Sequence, residues 1–174
     1  IGGGMGTDTI TNVENVIGGS FADKITGNAG DNVLRGGAGN DILTGGTGRD
    51  VFRLVKADVV AGQVDKITDF TTNDVIDFAS DVGLKIGGVA LSSLLADVTI
   101  SATFVKSATN VRFAGGHLQV DVNGDGAFTA ASDFDVDLTG TSAVHWSVAD
   151  QAFKAGAAAP PPPPTLAIAA TNAV

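Results

Sequence analysis

Asp23, Asn32, Asp41 and Asp50 follow one another at nine-residue intervals, and each lies five residues beyond a glycine (Gly18, Gly27, Gly36 and Gly45). The glycine-rich stretch before each side chain can turn tightly, which frees its carbonyl oxygens to point at a common centre. Carboxylates and carbonyls together make an all-oxygen ligand set, and that suits a hard cation. Calcium takes about six to eight oxygens in a loose geometry, whereas magnesium resists a carbonyl-rich cage. Zinc would want histidine or cysteine, and these repeats contain neither. Sodium would be held too weakly. The implied chemistry is the binding of Ca2+.

The same spacing dictates the elements that position these ligands. The units are GGSFADKIT, GNAGDNVLR, GGAGNDILT and GGTGRDVFR over 18–53, and a fifth match, GGMGTDTIT, occupies 3–11. They fit the nonapeptide pattern G-G-x-G-x-D-x-U-x of a parallel β-roll. Within the third unit, Ile42-Leu43-Thr44 is too short for a helix and suits a short strand with Leu43 inward. Two units then make one coil of a flattened, right-handed solenoid. Ile25 should lie against Leu43 and Leu34 against Phe52. On one edge Asp23 stacks with Asp41, and on the other Asn32 stacks with Asp50. Carboxylates at stacking distance repel strongly unless a cation sits between them. A flexible Gly/Asp linker would not keep Ile25, Leu34, Leu43 and Phe52 in register.

Acids outnumber bases 19 to 10, for a net charge of -9. That disfavours nucleic acid and anionic membrane as partners and favours cations. With no cysteine in the chain, disulfides and thiolate metal sites are excluded, and bound metal is the alternative staple. No apolar run approaches the length of a membrane span. The chain opens at Ile1 inside a repeat, without a signal peptide. It reads as the C-terminal piece of a longer protein, whose upstream domain would be a partner in the same parent.

The repeats resemble the RTX (repeats-in-toxin) family, exported by bacterial type I secretion systems. DTITNVENVIGGSFADKITG (8–27) is similar to that family's lead-in to its roll. The resemblance implies ions lying between stacked turns. Each would take carbonyls from positions 2 and 4 and the position-6 side chain of one unit. The unit eighteen residues on would add carbonyls from positions 1 and 3 and its own position-6 side chain. One site would then use Gly19, Phe21, Asp23, Gly36, Ala38 and Asp41. A second would use Asn28, Gly30, Asn32, Gly45, Thr47 and Asp50. Phe21 stands where a turn glycine belongs, which should strain that turn or open it. Asn32 removes a charge from the second site, which should weaken it. The lead-in slips phase by six residues after Thr11, so Asp8 is expected to serve a preceding coil. Glu14 is expected to be exposed or capping.

From Val51 the glycines thin out. VFRLV continues as strand, and the stretch 65–79 alternates Ile67, Phe70, Val75, Ile76 and Phe78 with Asp65, Asp69, Asp74 and Asp77. This is similar to the segment closing the roll in the serralysin-type C-terminal domain. The likeness implies a third site in which Gly46, Gly48 and Asp50 pair with Asp69 and Asp74. Read alone, these acids suit turns and surface equally well. Runs at 98–105, 110–114 and 117–122 read as strands, 91–95 as a helical turn, and Gly115-Gly116 as a hairpin turn. They should form a cap, because an uncovered last coil exposes its edge and core. Asp121 to Gly126 begins like an EF-hand loop, but Ser132 stands where a bidentate Glu should be. A calcium loop and a polar turn both remain open there. The segment 134–153 resembles the family's terminal segment, ending in an acid followed by apolar residues, here Asp150 and Phe153. Such tails are read by the secretion machinery. PPPPP at 160–164 should form unpacked polyproline II.

Catalytic signatures are missing. There is no HExxH, no GxSxG and no phosphate-cradling loop followed by GK[ST]. His145, beside Trp146, reads as a packed strand residue. The expectation is therefore an all-β chain without enzymatic activity of its own, while the missing upstream part could be a protease or lipase. A right-handed parallel β-roll, a calcium-binding solenoid, spans 1–53. A small β-rich capping and secretion domain spans 54–153, and a Pro-rich tail 154–174. Its function would be that of the calcium-binding C-terminal module of a larger secreted bacterial protein. It would be unfolded for export through the type I machinery, an ABC transporter complex, and would fold on extracellular calcium. The alternative is a calcium-rigidified structural or adhesive module of a surface-layer or adhesin protein. Either location is extracellular or at the cell surface.

Overall fold

The computed structural model describes residues 6, 8–58, 60, 62–78, 85–86, 89–90, 98–99, 111–121, 127–129, 133–138, 140–147 and 149–157. The expected helical turn at 91–95, the strand run from 100 to 105, the loop at 122–126 and the polyproline stretch lie outside these residues. Within the repeats, each unit contributes one three- or four-residue strand. In chain order the strands are β1 (Thr9–Thr11), β2 (Asn15–Ile17), β3 (Lys24–Thr26), β4 (Val33–Arg35), β5 (Ile42–Thr44) and β6 (Val51–Leu54). A 3-10 turn, Lys56–Asp58, precedes β7 (Asp65–Ile67) and β8 (Val75–Phe78). The later strands are β9 (Lys85–Ile86), β10 (Val89–Ala90), β11 (Val98–Thr99), β12 (Val111–Ala114), β13 (His117–Val120), β14 (Phe134–Asp137), β15 (Val144–Ser147) and β16 (Ala152–Ala155).

Alternate strands of the repeats go to opposite sheets, as two units per coil require. One sheet runs β1-β3-β5-β7 and the other β2-β4-β6-β8, all parallel. Ile25 stacks on Leu43 and Leu34 on Phe52. One side chain per strand points between the sheets, so Ile25, Leu34, Leu43 and Phe52 are fully buried, while the neighbouring Ile42 is 40% exposed. Two coils depart from the eighteen-residue length. The first is short: Ile10 stacks on Ile25. The last is long: Leu43 stacks on Ile67 and Phe52 on Ile76. Its extra residues fold back onto the second and third units. Gln63 Oε1 accepts from Gly39 N (2.9 Å), Asn40 Oδ1 accepts from Val64 N (2.9 Å), and Asp58 takes a two-pronged ion pair from Arg35.

Beyond β8 both sheets continue. β14 adds to β7 in parallel, and β13 and β12 follow antiparallel; β16 adds antiparallel to β8, followed by β15 and β11. The last coil of the roll thus has both edges paired. Gly115 (φ 62°) and Gly116 (φ 85°) make the two-residue hairpin turn between β12 and β13, whose twist needs two left-handed residues. The thin core of the roll widens here into an aromatic cluster. Phe153 meets Trp146 at 5.1 Å and Phe78 at 5.6 Å, and Phe78 meets Phe134 at 5.4 Å. His145 is a half-buried residue of β15, its Nδ1 3.0 Å from the Gly156 carbonyl. No helix among the described residues is long and apolar enough to cross a membrane.

Candidate metal centre

Each edge of the roll carries a column of position-6 side chains, because residues one coil apart are held in register by the strands that follow them. On the first edge each backbone N–H donates to the carboxylate of the next coil. Asp8 N reaches Asp23 Oδ1 (2.8 Å), Asp23 N reaches Asp41 Oδ1 (2.8 Å), and Asp41 N reaches Asp65 Oδ1 (3.0 Å). On the second edge Asn32 N donates to Asp50 Oδ1 (2.9 Å) and Asp50 N to Asp74 Oδ1 (3.0 Å). Asp8, expected in a preceding coil, therefore heads the first column. Glu14 is exposed, and its carbonyl accepts from Val33 N.

Gly19, Phe21, Asp23, Gly36, Ala38 and Asp41 meet where the first and third units stack. Ala38 N donates to the Gly19 carbonyl (3.0 Å), and Gly19 N to Asp23 Oδ2 (2.7 Å). The coils approach so closely that side chains are excluded. A methyl group at Gly37 would collide with the Gly19 carbonyl oxygen, and one at Gly39 would stand 2.6 Å from that of Phe21. At Gly18 it would collide with the Gly36 carbonyl oxygen and lie 2.7 Å from Asp23 Oδ2. Carbonyl and carboxylate oxygens thus line the gap between the coils. Gly37 and Gly39 have φ of 105° and 136°, values other residues rarely adopt. Phe21 is not left-handed, and it is 47% exposed, so its side chain is carried at the surface.

Asp41 is fully buried, and its Oδ2 has no hydrogen-bond partner. The same is true of Asp50 Oδ2, with Asp50 1% exposed. An unpartnered buried carboxylate oxygen is costly. Burial raises the Asp41 carboxyl above its ordinary pKa, opposed by the Asp23 N–H bond and reinforced by the charges of Asp23 and Asp58. Burial likewise raises Asp50, opposed by the Asn32 N–H and reinforced by Asp74, Asp69 and Asp31. A cation would satisfy both oxygens and reverse both shifts. Among the described residues no three acidic, histidine or cysteine side chains gather on one point. The donor set is two stacked side chains plus backbone carbonyls, which fits calcium and no nitrogen- or sulfur-seeking metal.

The second set, Asn28, Gly30, Asn32, Gly45, Thr47 and Asp50, also meets between coils, with a different bond pattern. Asn32 Oδ1 accepts from Asn28 N (2.7 Å), and Asn32 Nδ2 donates to the Gly30 carbonyl (2.8 Å) and to Asn28 Oδ1 (3.1 Å). Thr47 Oγ1 donates to the Ala29 carbonyl (3.2 Å). In the third set, Asp74 stacks with Asp50, and its Oδ2 takes Thr71 N and Oγ1 (both 2.8 Å). Asp69 lies at the same turn, with its oxygens accepting from Gly45 N (2.9 Å) and Gly46 N (2.8 Å) and its charge acting on Asp50. Gly46 and Gly48 pack over the Asn28 and Gly30 carbonyls.

Asp65, outside the implied ligand sets, ends the first column. Burial, with the charges of Asp41 and Asp58, pushes its carboxyl up to about 7 against the bond from Asp41 N. A signal for it exists in the chain: an acid or amide two residues before the inward side chain. Asp8-Ile10, Glu14-Val16, Asp23-Ile25, Asn32-Leu34, Asp41-Leu43, Asp50-Phe52, Asp65-Ile67 and Asp74-Ile76 all share it. That pairing survives the longer coil, whereas the nine-residue count does not.

Residues 17–52 match the RTX calcium-binding nonapeptide repeat, in four copies. No curated protein matches the chain. The repeats of this stretch thus match a calcium-binding repeat family, whose unit is a structural metal-binding motif rather than a catalytic one.

Proposed function

We propose that this chain is a calcium-dependent folding module of a secreted protein. The ion-binding residues on the first edge are Gly19, Phe21, Asp23, Gly36, Ala38 and Asp41. A further ion is proposed at the last coil, beside Asp50, Asp74 and the Gly46 and Gly48 turn. The observation that carries the reading is the buried, unpartnered Asp41 Oδ2 within a column of four aspartates. Without calcium, stacked carboxylates and the net charge of -9 oppose the roll. In a low-calcium cytosol the chain stays open and passes the type I channel. Outside, calcium neutralises the columns, and its binding free energy becomes folding free energy. The strands after β8, through Phe153, then lock the end of the roll.

The test is a calcium titration of the chelator-stripped chain, followed by far-UV circular dichroism, with magnesium in parallel. A calcium-specific rise in β-structure, weakened by Asp41→Ala, is expected. A chain equally folded in chelator and in calcium would sink the proposal.

A further inference from the structure

The two edges of the roll are built from the same repeat but end in different chemistry. On the first edge the position-6 group is Asp23, which can only accept hydrogen bonds. It has no donor to offer the turn carbonyls of its own unit. On the second edge the group is Asn32. Its Nδ2 donates to the carbonyl of Gly30, two residues back, at 2.8 Å, and to Asn28 Oδ1 at 3.1 Å. That carbonyl is one of the oxygens an ion between the second and fourth units would need.

The amide cannot simply turn over to present its oxygen. Asn32 Oδ1 already accepts the Asn28 N–H at 2.7 Å. Flipping the group would set an NH2 donor against that N–H and leave the Gly30 carbonyl facing an oxygen. Both contacts would change from attractive to repulsive, and Asn32 is only 1% exposed, so water would not replace them. The neighbouring turns are also joined directly. Arg49 N donates to Asp31 Oδ1 (2.8 Å), Thr47 Oγ1 to the Ala29 carbonyl (3.2 Å), and Asn32 N to Asp50 Oδ1 (2.9 Å).

We propose that the Asn32 side-chain amide takes the place of a calcium ion between the second and fourth units, so that this interval closes without metal. Asn32 is then the specificity-determining residue that removes one ion from the second edge. Calcium governs the Asp8–Asp23–Asp41–Asp65 edge, while the middle of the opposite edge is stitched by hydrogen bonds and takes no ion of its own. The inference rests on the calcium reading of the first edge.

Calcium stoichiometry of the full chain, by isothermal titration calorimetry, tests it with Asn32→Asp and Asn32→Ala. Asn32→Asp restores an acceptor-only side chain, and the expected result is one more bound ion per chain than the parent. Asn32→Ala should leave the ion count unchanged. Loss of an ion in Asn32→Ala, or an unchanged count in Asn32→Asp, overturns the proposal, because the amide would then already be a ligand. Should either variant fail to fold, NMR of the unsubstituted chain decides. Saturating calcium should shift the resonances of Asp23 and Asp41 and leave the Asn32 Nδ2 protons in place and slow to exchange. A large shift at the Asn32 amide overturns the proposal alone. No shift at Asp23 or Asp41 overturns the first-edge reading, and this inference with it.

Discussion

The backbone N–H of Asp23 donates to Asp41 Oδ1 at 2.8 Å across eighteen residues of chain, while Asp41 Oδ2 faces no donor. The two oxygens of one carboxylate therefore have separate tasks. Oδ1 fixes the register of one coil on the next, and Oδ2 holds the charge that a cation must answer. A single residue type serves fold and ligand binding together.

Replacing Asp41 by Asn separates those tasks. Asp41→Asn keeps an oxygen for Asp23 N and removes a buried charge. In chelator, the variant should be at least as stable as the parent, by up to about 1–3 kcal/mol. The rise in melting temperature on adding calcium should fall by half or more. Thermal melts in chelator and in saturating calcium check this. A less stable calcium-free variant would argue against a strained, uncompensated charge at this position.

Acidity should stabilise the calcium-free fold. Burial pushes the Asp65 carboxyl up to about 7 in the fold, and it also raises Asp41 and Asp50. A raised carboxyl binds its proton more tightly in the folded state, so stability falls as pH rises from about 4 to the folded pKa. At about 1.4 kcal/mol per pKa unit, Asp65 alone accounts for a loss on the order of 4 kcal/mol across that window. Denaturant unfolding in chelator at pH 5 and pH 7.5 should show the higher midpoint at pH 5. With calcium the order should reverse, since protons compete with the ion. A higher midpoint at pH 7.5 in chelator would contradict the raised carboxyls.

Glycine substitutions should divide by their neighbours. Gly37→Ala places a methyl against the Gly19 carbonyl at φ 105°, and should cost about 2–4 kcal/mol or abolish folding. Gly62→Ala, at φ 76° with open space around it, should cost only about 1 kcal/mol. Chemical denaturation in saturating calcium distinguishes them, and equal costs would mean that the coil-to-coil approach is looser than described.

The end of the roll should fold with the strands that cover it. Phe153 is fully buried and pairs with Ile76 of the last coil, so Phe153→Ala should cost about 3–5 kcal/mol. Trp146, the single tryptophan, lies in the same cluster. Its fluorescence and far-UV circular dichroism should change at one calcium concentration in the parent chain. Two separate transitions would show that these strands fold apart from the roll. Arg49→Ala removes a half-exposed ion pair to Asp150 and should cost under about 1 kcal/mol.

The repeats were legible because everything they need is local. Glycines in the turn, an acid at position 6 and an apolar residue at position 8 recur every nine residues. That alone implied the strands, the inward Ile25, Leu34, Leu43 and Phe52, and their stacking eighteen apart. Gly115-Gly116 was legible for the same reason, since a two-residue turn sets its own hairpin register. Asp65 and Asp74 were harder to place, because the last coil carries extra residues and the count of nine fails there. Only the pairing of Leu43 with Ile67 and Phe52 with Ile76 brings them under Asp41 and Asp50.

The sequence by itself determined the period, the oxygen chemistry and the polarity of each strand, because these depend on residues within one unit. The tertiary structure decided which strands close the last coil, β14 in parallel and β16 antiparallel, and which way the Asn32 amide faces. Those outcomes depend on groups far apart in the chain or on the donor presented by a neighbouring turn. A composition rule can state that Asn has both an acceptor and a donor, but only the packed turn, with Asn28 N on one side and the Gly30 carbonyl on the other, selects between them.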